Sequence, residues 1–212
     1  MSSTPLTPNT LERLLAPYLA PQRELTESKL RLEERPRLFS QLERYLELLL
    51  RWNQKTNLTA VRDPEAIITR HFGESLFAAC TLAPHLAPGD TVLDFGSGAG
   101  FPGIPLQLLL PEVHVTLGES QHKKAAFLRE ALRTLDLQQT AVHGGRIEDL
   151  PQGITFQAVT LRAVDDPALA EQLATKRVAP GGYLLSLHGG EGGQDSKIIP
   201  ESRNRFVTLK RL

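Results

Sequence analysis

Asp94-Phe-Gly-Ser-Gly-Ala-Gly100 places one acid two residues ahead of three glycines at alternate positions, Gly96, Gly98 and Gly100. Glycine adopts backbone angles that other residues avoid and puts no Cβ between chain and ligand. Such a turn, after a strand and before a helix, can lie against a nucleoside at the carboxyl edge of a parallel sheet. A dinucleotide fingerprint asks for a third glycine where this chain has Phe101, and it needs a free helix N-terminus for the pyrophosphate. Phe101 and Pro102 crowd that point. A nucleoside cofactor without phosphates, such as S-adenosylmethionine, does not need it. Downstream, Glu119 closes a second apolar run, Val113–Leu117. Alone it reads as a helix-capping surface acid. After the glycine turn it reads as the carboxylate that accepts both ribose hydroxyls and disfavours a 2′-phosphate.

Three further groups have chemistry available. Gly144-Gly-Arg-Ile-Glu-Asp149 follows a third strand pattern, where backbone N–H groups and Ile147 can read and cover a base, unless it is a plain turn before Pro151. Arg162 ends another strand, where its guanidinium can grip a phosphate or carboxylate, or else pair at the surface with Asp165 or Asp166. His122, Lys123, Lys124, Arg129, Arg133, His143 and Arg146 make a locally basic run suited to phosphates, or a solvated helix face. No zinc spacing and no Ser-His-Asp pattern is present, so no metal site is expected. His71, His85, His114 and His188 are scattered.

These residues need elements to hold them. A short helix is expected over Leu11–Leu19, capped by Asn9 or Thr10, behind a frayed N-terminus and ahead of Pro21. A stronger one spans Arg37 to Trp52, with Leu38, Leu42, Tyr45, Leu46 and Leu49 at three- and four-residue spacing. Asp63-Pro64 reads as an N-cap followed by proline at the first helical position, and helical character continues to Phe77. Residues 1–85 therefore read as a helical extension. Beyond Pro88 strand patterns at 91–95, 113–118, 139–143, 156–161, 182–187 and 205–209 alternate with helical patterns at 102–110, 121–136 and 166–178. That implies an α/β, mostly parallel sheet with helices on both faces. The last strand lacks a crossover helix before it, so it is expected to return antiparallel. The division is 1–85 for the extension and 86–212 for one compact α/β domain.

The 212 residues are 41% apolar and 23% charged, with formal net charge zero, as in an ordinary globular protein. A nucleic-acid partner would have to meet a local basic patch. Cys80 is the lone cysteine and sits among apolar residues, so an internal disulfide is excluded, a small core residue is expected, and a cytoplasmic location fits. No apolar run reaches a membrane span and no secretory leader is recognised.

With these residues in view, the chain resembles the bacterial 16S ribosomal RNA guanine-N7 methyltransferases, the small-subunit methyltransferase G or glucose-inhibited division protein B family. The resemblance covers about residues 37–190. It rests on Trp52–Pro64, Arg70-His71 with Glu74-Ser75, Asp94–Pro105, Glu119-Ser120, Lys124 with Phe127-Leu-Arg129, Arg146-Ile-Glu148 and Arg162-Ala163. Asn53–Pro64 is its most specific part, because generic methyltransferases lack it. The resemblance implies a Rossmann-like class I methyltransferase fold, S-adenosyl-L-methionine as donor, and N7 of guanine 527 in the 530 loop of 16S rRNA as acceptor. The partner would be 16S rRNA, the small subunit or its precursor, with a cytoplasmic monomer as the enzyme. Donor contacts would come from Asp94, Gly96, Gly98, Gly100 and Phe101, ribose binding from Glu119, and the adenine site from Ile147 and Glu148. Arg162 would stand at the donor–acceptor junction as the catalytic residue. His71, Lys123, Lys124, Arg129 and Arg146 would meet RNA. Glu74 and Glu119 stand where the family usually has Asp, His188 where it usually has Lys, and the tail after Gly190 is shorter than its norm.

Other readings stay open at this point. One is a methyltransferase of the same fold with another substrate. A second is a non-catalytic RNA-binding or ribosome-assembly protein, against which the unbroken glycines and Glu119 weigh. A third, an NAD-dependent oxidoreductase, fails on Phe101.

Overall fold

β-Branched and apolar runs form the strands, and amphipathic stretches between them form the helices. A computed structural model describes residues 8–20, 35–163 and 166–212. The expected frayed N-terminus, Pro21 and Asp165 lie outside the described residues. The strands are Thr91–Phe95 (β1), His114–Gly118 (β2), Thr140–His143 (β3), Phe156–Arg162 (β4), Val178–Gly189 (β5), Ser196–Ile198 (β6) and Arg205–Arg211 (β7). They form one sheet of order β3-β2-β1-β4-β5-β7-β6. The first five run parallel, while β7 pairs antiparallel with both β5 and β6. The antiparallel return of the last strand is thus as expected. β6 was not expected, because its Ser-Lys-Ile is too short and polar to show a two-residue alternation. β5 starts earlier than residue 182, running through Pro180-Gly181-Gly182 with a register shift against β4. A Cβ on Gly182 would lie 2.6 Å from the Gln157 carbonyl oxygen, so only glycine lets the two strands approach.

The helices are Pro8–Leu19 (α1), Arg35–Asn53 (α2), Pro64–Ile67 (α3), Glu74–Leu82 (α4), Gly103–Leu109 (α5), His122–Leu135 (α6) and Pro167–Thr175 (α7). α1 begins at Pro8, so Asn9 and Thr10 lie inside it rather than capping it. The Asp63 cap is present, its carboxylate accepting from the Ala66 N–H. Between α3 and α4, Ile68–Gly73 forms a π-helical turn that apolar periodicity did not announce. Gly73 is required there: a Cβ would lie 2.6 Å from the Tyr18 ring.

The early helices share one hydrophobic core with the sheet. Tyr45 of α2 is its hub. The ring is fully buried, stacks on Phe72 at 5.1 Å, and meets Phe101 at 5.5 Å and Phe127 at 6.4 Å. Its hydroxyl donates to the Ala99 carbonyl inside the glycine turn. α2 therefore braces the turn directly, through an aromatic that sequence periodicity marks only as apolar. Cys80 is buried in the same core, as expected.

Candidate functional site

Two cavities open at the carboxyl ends of the parallel strands, where a doubly wound sheet leaves its ligand crevice. The first, about 400 Å³, lies between the turn after β1, the end of β2 and the loop after β3. Gly96, Glu119, Lys124, Arg146, Ile147 and Glu148 line it. The second, about 560 Å³, lies over β4, β5 and β7, with Arg162, Ser186, His188, Arg205 and Lys210 in its wall. Ala163 borders both and holds a left-handed backbone, φ 49°, at the strand end. That conformation is uncommon without glycine.

Glu119 is fixed before any ligand arrives. One carboxylate oxygen accepts the Gly98 N–H at 2.9 Å and the other the Gln121 N–H at 2.7 Å. Each oxygen keeps lone pairs for hydroxyl donors. A Cβ on Gly98 would meet nothing nearer than the Gly96 oxygen at 3.9 Å, so the outer face of the turn is bare. Ile147 is buried against Gly118, where a Cβ would lie 2.1 Å from its Cδ1. Arg177, from the turn after α7, donates to the carbonyls of Ile147, Leu150 and Pro151 and so holds the loop after β3 from below.

Other expected contacts do not face the first cavity. Asp94 is buried under the turn; Oδ1 accepts from the Thr160 hydroxyl at 2.8 Å and Oδ2 from the Gly103 N–H at 3.1 Å. It shapes the turn and cannot also touch a ligand in that cavity. Burial lifts its carboxyl to about 6, against the pull of Thr160, Ser97 and the Gly103 N–H. Gly100 faces inward: a Cβ would lie 2.5 Å from Ile104 and 2.7 Å from the Tyr45 hydroxyl. The Phe101 ring is buried between Tyr45, Phe72 and His71. Gly96 and Gly98 thus lie on the cavity side of the turn and Gly100 on the core side.

Among the described residues Arg162 does not pair with Asp166 and does not face solvent. Its guanidinium turns into the π-helical turn, donating to the carbonyls of Arg70 at 2.6 Å and His71 at 3.4 Å, to Ser75 Oγ at 3.2 Å and to Glu74 Oε2 at 3.0 Å. It also meets His71 Nδ1 at 2.9 Å. A guanidinium cannot accept, so Nδ1 accepts and the ring proton sits on Nε2, which donates to Thr59 Oγ1 at 2.7 Å. Burial first, then Arg162, Arg70 and Arg205, lowers the His71 pKa to about 3. His71 is therefore neutral and fully engaged, and it is no cation for an RNA phosphate. Burial likewise lowers Arg162 to about 10, opposed by Glu74 and Asp94.

Glu74 is the centre of this cluster. It lies 2% exposed between Arg162 and Arg205. Arg205 Nη2 donates to Oε2 at 2.7 Å, and Nε stands 2.5 Å from Oε1 without the alignment of a hydrogen bond. Burial pushes the Glu74 carboxyl up, while the two arginines pull it back. Sequence reading missed Arg205, which lies far along the chain inside a strand pattern, with no local signal.

The Asn53–Pro64 block now has a physical reason. Asn53 is buried; its amide donates to the Thr59 carbonyl at 3.1 Å and its Oδ1 accepts from the Leu58 and Thr59 N–H groups. Arg62 donates to the Asn53 carbonyl at 2.7 Å. This stapled loop presents Thr59 to His71. Of the basic run, Lys124 and Arg146 border the first cavity, whereas Lys123 and Arg129 are exposed on α6. Among the described residues no group of three His, Cys, Asp or Glu is placed to hold a metal. No described helix is long and apolar enough to cross a membrane.

Residues 38–202 match the model of the GidB family, rRNA small subunit methyltransferase G. A protein named ribosomal RNA small subunit methyltransferase G from Xanthomonas oryzae is 43% identical over 158 residues, 74% of this chain and 72% of its own length. Its namesake from Xanthomonas euvesicatoria is 45% identical over 157 residues, again 74% and 72%. Among solved structures, a Klebsiella pneumoniae protein provisionally described as an O-methyltransferase superposes with TM-score 0.57 at 15% identity, over 78% of this chain and 88% of that one. An Escherichia coli protein provisionally described as a methyltransferase, yhhF, gives 0.51 at 16%, over 62% and 79%. The fold is the Rossmann-like class I methyltransferase fold, and the chain belongs to the rRNA small subunit methyltransferase G family.

Proposed function

We propose, from this membership as premise, that the protein methylates N7 of guanine 527 in the 530 loop of 16S rRNA with S-adenosyl-L-methionine as donor. The observation that carries the donor reading is the cavity of about 400 Å³ around Glu119, beside a bare glycine turn. It fits a nucleoside without phosphates. The Gly103 N–H, at the start of α5, is already taken by Asp94, and the Glu119 carboxylate would repel an anion beside it.

When bound, the sulfonium donor supplies a methyl group that needs no further activation. The chain has to hold and align. Glu119 takes the ribose hydroxyls, Ile147 and Glu148 line the adenine, and Gly96 and Gly98 let the backbone approach. Guanine N7 presents an in-plane lone pair and no proton, so no general base is required. What remains is alignment of N7 with the methyl carbon and exclusion of water. The cavity of about 560 Å³ beyond Ala163 takes the guanine, which has to leave its stack to expose N7. Arg162 acts as a positioning residue: it ties the end of β4 to the π-helical turn at the wall of that cavity. Lys123, Lys124, Arg129 and Arg146 face the RNA phosphates. The substrate is naked 16S rRNA or a small subunit, the enzyme a cytoplasmic monomer, and residues 1–85 a helical extension that braces the 86–212 domain.

Thermal shift with S-adenosylmethionine, its demethylated product and NAD tests the donor. Stabilisation by the first two alone is expected. Stabilisation by NAD, or by none of the three, would contradict it.

A further inference from the structure

A third cavity, about 690 Å³, opens between α1, the π-helical turn and the segment joining β6 to β7. Arg13, Arg70, Arg203 and Arg205 stand in its wall, against the acids Glu74 and Glu201. Glu74 is consumed by Arg162 and Arg205. Arg13, Arg70 and Arg203 are exposed and make no ion pair among the described residues. The chain is electrically neutral overall, so such a local excess is not a by-product of basic composition. Three segments remote in sequence bring these arginines together.

Its position gives the charge a use. Arg205 lines both this cavity and the one of about 560 Å³, so the Arg205–Glu74 pair forms a wall between them. A nucleotide extruded from its stack stays tethered to its neighbours through its two flanking phosphates. Those phosphates have to pass close to the mouth of the cavity that receives the base. One rim of the site carries the α6-side cations Lys124 and Arg146. The three arginines without an ion pair line the neighbouring cavity, across the shared Arg205.

We propose that Arg13, Arg70 and Arg203 form a second phosphate-binding surface that holds the RNA backbone flanking the extruded nucleotide. The helical extension would thereby contact substrate through α1. This rests on the rRNA-methylating reading and adds a location and a partner chemistry to it.

The double variant Arg13→Ala/Arg203→Ala tests it, with Arg37→Ala/Arg211→Ala, two arginines remote from this cavity, as control. Filter binding of unmethylated 16S rRNA is measured across a salt series, alongside donor affinity by calorimetry and thermal stability. The expected result is rRNA affinity reduced about tenfold and a salt slope smaller by about 1.4, from two single-strand contacts at about 0.7 each. Donor affinity and Tm stay as in the parent, and the control pair changes neither affinity nor slope. Parental affinity and slope in the test pair would overturn the proposal. So would a loss seen only with assembled small subunits and not with naked rRNA, which would make the surface a protein contact. A parent that bound donor but no 16S rRNA would remove the RNA reading itself and this surface with it, whereas parental RNA binding with an unaffected double variant removes this surface alone.

Discussion

The β1–β2–β3 edge and the β4–β5–β7 edge of this sheet solve opposite problems. The first is open and built from backbone: bare glycines, N–H groups and one strand-end carboxylate whose partners lie next to it in the fold. The second is walled by interlocked side chains beside its cavity. Glu74, Arg162, Arg205 and His71 come from three distant segments and interlock, with Glu74 and Arg162 buried. An open edge can exchange a nucleoside without reorganising the protein. A buried charge cluster fixes one geometry, because breaking it strands a charge in a poor solvent. On the proposed reading, the first edge holds the donor through backbone, and beside the cavity of the second a fixed charge cluster sets the wall.

The largest break should come at the second edge. Glu74→Gln leaves two guanidiniums without their carboxylate. The expected loss is about 3–5 kcal/mol of stability, read by denaturant melts. The melting temperature should fall by about 2–4 °C for each kcal/mol. A variant as stable as the parent would show that the cluster positions nothing.

The His71–Arg162 contact gives that edge a pH signature. His71 titrates at about 3 when folded against its ordinary 6.5. Between those values the unfolded chain binds more protons, so the His71 contribution is whole above 6.5 and is lost as pH falls towards 3. Asp94, raised to about 6, has the opposite sign: between about 4 and 6 the folded state holds the extra proton, and stability falls as pH rises through that window. In the middle of the range the two nearly cancel. Against His71→Gln, which keeps the Asp94 and Glu74 effects, the parent should lose stability on acidification by up to about 1.4 kcal/mol per pH unit. A constant difference between parent and variant from pH 7 to pH 4 would show that His71 is not held neutral.

How much of this was legible follows the same division. The glycine turn, Glu119 and the loop at Ile147 are local in sequence, each at the end of a strand whose apolar pattern is strong, so residue type and place together announce them. The antiparallel final strand was legible from the missing crossover helix. The π-helical turn was not, because its residues continue the apolar spacing of an ordinary helix. The place of Arg162 at a strand end is legible and its partner is not, since nothing in Thr160-Leu-Arg-Ala163 says that a carboxylate at position 74 lies behind it. Arg205 and the Tyr45 hydroxyl carry no pattern at all. Long-range polar pairing depends on the tertiary fold, and periodicity is blind to it.

Two smaller effects sharpen the open edge. Gly103→Ala would put a Cβ 2.4 Å from Leu117 and 2.7 Å from Asp94 Oδ2. Overpacking of this kind costs about 1–3 kcal/mol, and the shifted turn should weaken donor binding along with stability. Parental calorimetry would show that Asp94 does not shape the turn. Glu119→Ala should lower stability by about 1–3 kcal/mol, because the Gly98 and Gln121 N–H groups lose their acceptor, and weaken donor binding about tenfold or more, the worth of a charged hydrogen bond. Equal affinity would remove Glu119 from the ribose site.

The most direct measurement of the central claim uses 16S rRNA from a strain lacking this protein. The RNA is incubated with purified protein and labelled S-adenosylmethionine, and the modified nucleotide is located by mass mapping. One methyl group on N7 of guanine 527 is the expected result, and label at another nucleotide, or none in 16S rRNA at all, would contradict it.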